Sequence, residues 1–412
     1  MATPGEYALK LYILDGTPLS QLGTASPAPK AGDAVAYFRD CQAPGGKGIA
    51  ALEKAGIEVV YAESLIGDAD EDGINIFVDR FLRDWYHDKG REVGRAGPLS
   101  LGFLMAHSIV KEIQPGFLVR FGETCRRLFE KFPQARHVVT DIVDGRHPVT
   151  DLSPTAYPRR RFLEHLATTR GLGVEPLPSA ALPTFCKPQK ISRTLKSLLV
   201  SYIGGLRPRY LVPKFLQPFR RKTRRRVYFF LNHGIRHAAE SLARREDVEV
   251  YADQAGFPSI APIRFDHFLP LPTFPLLRAA FQLRRHVFRM AQSGSPCLFN
   301  GLDYSPFLAN ALQEFCGKSL LVTAFKAAQT QRLWKTLKPD IVVINGEGHP
   351  QVRATISLDQ TYGYRVVYIG HGLNCMPYGH CPGGGNYPNV TFVVPGEAHL
   401  DLWGRLLPKD RK

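Results

Sequence analysis

The sequence predicts an α/β fold with two Rossmann-like domains, each built on a parallel sheet. Three observations predict it. Short β-branched apolar runs, Ile341–Ile344 and Val366–Ile369, are bounded by turn residues and suit strands buried on both faces of a parallel sheet. A helical stretch, Val352–Tyr362, separates them, so strand, helix and strand follow one another within about 30 residues, as in a βαβ unit. A strand, a glycine turn and a helix open the second half at Val227–Arg244, the way a Rossmann-like domain begins, with a backbone free to sit close to a ligand. At 412 residues the chain is too long for one ordinary core. The expected division is an N-terminal α/β domain over 1–150, a Pro/Arg-rich connection over 151–225 and a Rossmann-like domain over 226–412.

In chain order, residues 7–14 (YALKLYIL) read as an opening strand and a loop rich in Ala, Pro and Gly runs to about Gly48. Ile49–Ala55 is a short helix and Ile57–Tyr61 a strand. Asn75–Tyr86, Leu99–Ile113 and Phe117–Lys131 are helices, the last two separated by Pro115-Gly116, a strong break. His137–Val143 is a further strand, ending in Asp144-Gly145-Arg146-His147-Pro148. Residues 150–195 carry Pro176, Pro178, Pro183 and Pro188 and read as irregular or connecting structure. Ile191–Arg226 mixes apolar residues with many cations, and Pro208, Pro213 and Pro218 prevent one long helix there. After the strand Val227–Leu231 come the helix Ala238–Arg244 and the strand Val248–Tyr251. Phe274–Gln292 is a basic amphipathic helix bearing Arg278, Arg284, Arg285 and Arg289, Leu302–Leu337 is mostly helical, and Val390–Val394 is a last strand before a helical turn, His399–Leu406.

The net charge is +16, concentrated at Arg159–Arg161 and in the Arg220–Arg226 run. Such an excess attracts phosphates, nucleic acid or an anionic membrane face without choosing among them. Seven cysteines are scattered without a framework, and the first 15 residues lack a basic segment followed by an apolar one. Free thiols in a reducing cytoplasm are the expectation. No run approaches 18 apolar residues, so no segment is expected to span a membrane.

The polar residues fall at strand ends. Asn232, His233 and Gly234 follow one strand, Asn345, Gly346, Glu347 and His349 a second, His371, Gly372 and Asn374 a third, and Glu397 a fourth. Parallel strands end on one edge of their sheet, where open α/β sheets bind ligands. Histidine and carboxylate together there suit general acid–base work, and the glycines let a phosphate approach backbone N–H groups at helix starts. Glu347, His371 and His233 are the candidate catalytic groups, and Arg353 and His349 candidate phosphate contacts. Against this stands the plain alternative that each histidine caps a turn. His371, Cys375, His380 and Cys381 have residue types that suit zinc, but their spacing is no standard finger or ribbon pattern, and no metal is expected. Asp144, Gly145, His147 and Pro148, with Asp15, Asp141 and Arg146, form a second candidate cluster, with a solvated turn as the rival reading.

The stretch KPDIVVINGEGHPQVRATISLDQTYGYRVVYIGHG, followed by PNVTFVVPGEAHLDLWG, resembles bacterial GT-B-fold glycosyltransferases of surface and capsular polysaccharide synthesis, in the style of the CDP-glycerol and Kdo transferase-like group. The likeness spans roughly Arg226–Gly404 and rests on a strand ending in His371-Gly372 and another ending in Gly396-Glu397. It implies a GT-B-like pair of Rossmann-like domains. It also implies a nucleotide-sugar donor as substrate, no separate cofactor, and a glycan or lipid-linked acceptor. The cationic aromatic segment 196–226 and the helix 274–292 would then make a peripheral contact with an anionic membrane at its inner leaflet. Two alternatives stay open. One is a non-enzymatic binder of anionic polymers or nucleic acid, resting on charge alone since no nucleic-acid motif is present. The other is a different nucleotide-sugar enzyme such as an epimerase, disfavoured by the absence of G-x-G-x-x-G.

Overall fold

The computed structural model describes residues 8–38, 47–145, 158–177, 196, 199–200, 202–204, 206, 224–230, 235–254, 260–293, 297–345, 349–369 and 390–393. Through the first half run strands β1 (Lys10–Leu14), β2 (Ala34–Tyr37) and β3 (Glu58–Tyr61), with helices α1 (Lys47–Lys54) and α2 (Asp68–Asp84). Helices α3 (Leu101–Glu112) and α4 (Pro115–Lys131), strand β4 (His137–Thr140), helix α5 (Arg159–Thr169) and strand β5 (Gly173–Pro176) follow. The second half has β6 (Arg225–Phe229), α6 (Arg236–Ala243), β7 (Val248–Ala252), β8 (Ala261–Pro262), α7 (Phe274–Ser293) and α8 (Ser305–Leu337). It closes with β9 (Ile341–Ile344), α9 (Pro350–Tyr362), β10 (Arg365–Ile369) and β11 (Val390–Val393).

The chain forms two compact units from interleaved stretches. The first comprises Met1–Phe77, Glu112–Pro188 and Gly294–Leu312, the second Val78–Lys111, Gln189–Ser293 and Gln313–Lys412. Each holds one parallel sheet, and the class is α/β with two Rossmann-like sheets. In the first unit the order is β3-β2-β1-β4-β5, and in the second β8-β7-β6-β9-β10-β11. Every neighbouring pair in both sheets is parallel. Numbered from the first strand of each sheet, the orders are 3-2-1-4-5 and 3-2-1-4-5-6. Chain direction along the sheet reverses between strands 1 and 4, the switch point where such sheets open a crevice.

Several segments differ from the sequence reading. The helix read as Asn75–Tyr86 runs from Asp68 to Asp84 as α2, and the stretch after β7, given no element, adds the short edge strand β8 to the second sheet. The Ala/Pro/Gly loop contains β2, whose four residues are all buried between β1 and β3. The stretch read as irregular after residue 150 contributes α5 and the edge strand β5, which extends the first sheet past β4. Pro176 closes β5 at the sheet edge, where a missing N–H is tolerated.

The central strands are buried on both faces, and alternate residues supply each face of the two cores. Tyr12, Leu14, Val35, Tyr37 and Val139 form one face of the first sheet's core with Leu19, Leu22, Leu52 and Ile57. Val227, Phe229, Val250, Ala252 and Val343 do the same in the second, against Ile235 and Ala239 of the first crossover. On its other face Tyr228 meets Trp334 of α8 edge-on at 4.9 Å. The start of each central strand is held by an aspartate preceding its neighbour. Asp33 accepts the Lys10 N–H at 2.9 Å and the Lys30 N–H at 2.8 Å. Asp340 accepts the Arg226 N–H at 2.8 Å.

Within the first unit α4 packs closely because of Gly122. A methyl group there would lie 2.6 Å from the Phe162 ring and overlap the Tyr304 hydroxyl. Those two rings are themselves stacked at 4.9 Å. Gly122→Ala is expected to destabilise by about 1–3 kcal/mol through overpacking. Gly23→Ala, where nothing lies within 4 Å, should change stability by less than about 0.5 kcal/mol. Urea denaturation of the two variants checks the contrast; equal midpoints would refute it.

Candidate functional site

At the switch point of the first sheet, the turn after β1 presents three successive backbone N–H groups. The Asp141 carboxylate, just past β4, accepts all three: from Asp15 at 2.7 Å, Gly16 at 2.9 Å and Thr17 at 2.5 Å. Amides gathered in this way form an anion cradle, here filled by the chain's own carboxylate. Asp15 is in turn held by the guanidinium of Arg159, bonded through Nη1 to Oδ1 at 3.0 Å and through Nη2 to Oδ2. Both side chains are buried. Asp144 accepts the Arg160 N–H at 2.7 Å and the Arg161 Nε–H at 2.6 Å, so it holds the first turn of α5. The second candidate cluster thus has its described carboxylates engaged in the fold. Arg146, His147 and Pro148 lie outside the described residues. Arg159, Arg160 and Arg161 each face a carboxylate, of Asp15, Glu164 and Asp144 respectively, so this part of the positive excess is locally balanced.

The second sheet's switch point lies between β6 and β9. These strands pair in parallel, Val227 opposite Ile341 and Phe229 opposite Val343, and β10 pairs with β9 on the far side. The three strands chosen from sequence therefore lie side by side, pointing the same way. Their polar loops leave one edge of the sheet. Of the residues in those loops, Asn345 is half-buried directly after β9, and His349 is exposed at the N-cap of α9, its carbonyl accepting the Val352 N–H at 3.0 Å. Asn232, His233, Gly234, Gly346, Glu347, His371, Gly372, Asn374 and Glu397 lie outside the described residues.

Arg353, in the first turn of α9, is buried. Its guanidinium lies 4.8 Å from the centre of the Phe103 ring, and Nη1 donates to the Phe103 carbonyl at 3.1 Å. These contacts are those of a packing residue that fixes α9 against α3. One residue passed over in the sequence stands at the same edge. Asp253 follows β7, next to the switch point, and its N–H donates to the Phe229 carbonyl at 3.3 Å. In Rossmann-like domains an acidic residue about 20 positions after the glycine turn meets the ribose hydroxyls. Counting forward from Gly234 would have found it.

Among the described residues no group of three or more His, Cys, Asp and Glu is placed to hold a metal. The zinc-type residues His371, Cys375, His380 and Cys381 lie outside them. Cys125, Cys297 and Cys316 are free thiols. Burial pushes the Cys316 thiol up to about 12 and that of Cys125 higher still, so neither is a nucleophile at neutral pH. No helix among the described residues is long and apolar enough to cross a membrane.

No protein-family model matches the chain, and no curated protein does. Among solved structures, CobK precorrin-6A reductase is similar over 88% of this chain and 88% of its own, with 9% identity and a TM-score of 0.18. A superposition that loose carries no argument about this chain's fold or chemistry.

Proposed function

We propose that the chain is a glycosyltransferase-like enzyme that moves a sugar from a nucleotide-activated donor to a glycan or lipid-linked acceptor. One observation supports this reading above others: the second sheet has the order of a nucleotide-binding Rossmann domain, with β6, β9 and β10 adjacent and parallel. In this reading the donor's diphosphate meets the glycine turns at Gly234, Gly346 and Gly372 and the start of α9 beside His349. Asp253 receives the ribose. Glu347 or His371 serves as the base or electrostatic group at the reacting centre, with His233 beside them. Asn232, Asn345, Asn374 and Glu397 supply the remaining polar contacts. The first sheet's cradle, filled by Asp141, favours placing the donor on the second sheet.

A thermal-shift screen against CMP, CDP, UDP, GDP and their sugars tests the proposal. A nucleotide at a hundred times its dissociation constant adds roughly 2.7 kcal/mol of stability. The expected result is a shift confined to one base and greatly reduced in Asp253→Ala. If no nucleotide moves the transition, the proposal fails. Tight, steeply salt-dependent binding of an anionic polymer instead would favour the non-enzymatic alternative.

A further inference from the structure

Helix α7 is buried along one side only, through Leu276, Ala279, Ala280, Leu283 and Val287. The opposite side carries an apolar ridge of Phe274, Leu277, Phe281 and Phe288, exposed by 76%, 41%, 68% and 47%. Their spacing of three, four and seven residues keeps them on one stripe of a helix. Arg278, Arg284, Arg285 and Arg289 are exposed as well. With 3.6 residues to a turn, Arg284 falls on one flank of the ridge and the other three on the opposite flank. The helix has no acidic residue, and among the described residues none of the four arginines pairs with a carboxylate. Beside the ridge a groove of about 350 Å³ opens against α8, with Phe281 and Phe288 in its wall, Arg284 and Arg285 at hand, and Cys316 and Gly317 on the α8 side.

We propose that this face of α7 docks on an anionic phospholipid bilayer, lying in its surface. The phenylalanines enter the boundary between headgroups and acyl chains, and the flanking guanidiniums meet lipid phosphate. A ridge of large apolar side chains bordered by cations is the pattern of an interfacial helix, and an unpaired positive border complements an anionic leaflet. A second copy of the chain is a poor occupant. A two-fold contact of this face with itself would set arginine against arginine. The inference does not rest on the transfer reaction, because docking requires no donor.

Vesicle co-sedimentation of the full chain tests it. Phosphatidylcholine vesicles are compared with vesicles mixing phosphatidylcholine and phosphatidylglycerol. The wild type is expected to bind the anionic vesicles at least about tenfold more tightly than the neutral ones, and more weakly as salt rises. Arg284→Glu with Arg285→Glu should remove most of that preference. Phe281→Ser with Phe288→Ser should weaken binding about tenfold even at low salt. All four side chains are solvent-exposed, so unchanged circular dichroism and melting are expected and are checked first. Arg236→Glu with Arg245→Glu, exposed basic residues outside α7, should bind as the wild type does. The proposal is overturned if neutral and anionic vesicles bind alike, if neither α7 pair changes binding, or if the control pair changes it equally. It is also overturned if the phenylalanine pair instead breaks a dimer of the free protein, or if single-stranded DNA displaces the vesicles through the same residues.

Discussion

Arg159→Ala is expected to destabilise the first unit by about 3–5 kcal/mol. The guanidinium makes a two-point contact with Asp15, and each side chain is only 3% exposed. It also lies over the Phe121 ring, 5.6 Å from its centre. Removing the arginine leaves a carboxylate in a buried place without its charge partner, which costs far more than the pair contributes when intact. The position adds to the effect. Asp15 opens the turn whose amides grip Asp141, so a loosened Asp15 disturbs the junction of β1 and β4. The double change Asp15→Leu with Arg159→Met should recover much of the loss, since an apolar pair of similar volume removes both desolvation costs. Urea denaturation of the two singles and the double forms a cycle. A single variant with the wild-type midpoint, or a double that merely adds the two losses, would refute the account.

Trp334→Ala is expected to cost about 3–5 kcal/mol in the second unit. Trp334 is fully buried and lies among Tyr228 at 4.9 Å, Tyr364 at 5.6 Å and Phe265 at 6.2 Å between ring centres. Its Nε1–H donates to Thr355 Oγ1 at 3.1 Å, and that hydroxyl donates to the Gln351 carbonyl at 2.8 Å. The indole therefore ties α8 to α9 behind the candidate site. Truncation opens a large cavity, and edge-to-face ring contacts are lost beyond the area argument. The same burial holds the Tyr228 and Tyr364 hydroxyls well above their usual range. Each hydroxyl donates to a carbonyl, Tyr228 to that of Ile263 and Tyr364 to that of Thr355. The check is the urea denaturation midpoint of the variant against the wild type; a loss under about 1 kcal/mol would mean the neighbours collapse into the space.

The second sheet was readable because its strands announce themselves. Val227–Phe229, Ile341–Ile344 and Val366–Ile369 are continuous apolar runs, and helices α6 and α9 follow the first two. β2 was not readable. Its four residues, AVAY, sit among Ala, Pro and Gly, and only pairing with β1 and β3 and the grip of Asp33 make it a strand. α5 was hidden by three consecutive arginines, two of whose carboxylate partners, Asp15 and Asp144, are 144 and 17 residues away. The site divides in the same way. The polar edge after β9 and the adjacency of β6, β9 and β10 follow from strand pattern and the rule of parallel connections. The fate of Asp15, Asp141 and Asp144 does not, because a lone carboxylate in a sequence carries no mark of what it will bond. Asp253 was missed for the same reason, though its distance from Gly234 was a usable sign.

Asp33 and Asp340 have a consequence for how the two sheets choose their alignment. Each is a charged peg set just ahead of an apolar strand, and each fits a socket near the start of the central strand beside it, the Lys10 amide of β1 or the Arg226 amide of β6. Were that neighbour to slide by one position, the peg would be driven against greasy side chains and the socket left empty, a double fault in the unfinished chain. Misaligned pairings of β1 with β2 and of β6 with β9 are thereby disfavoured.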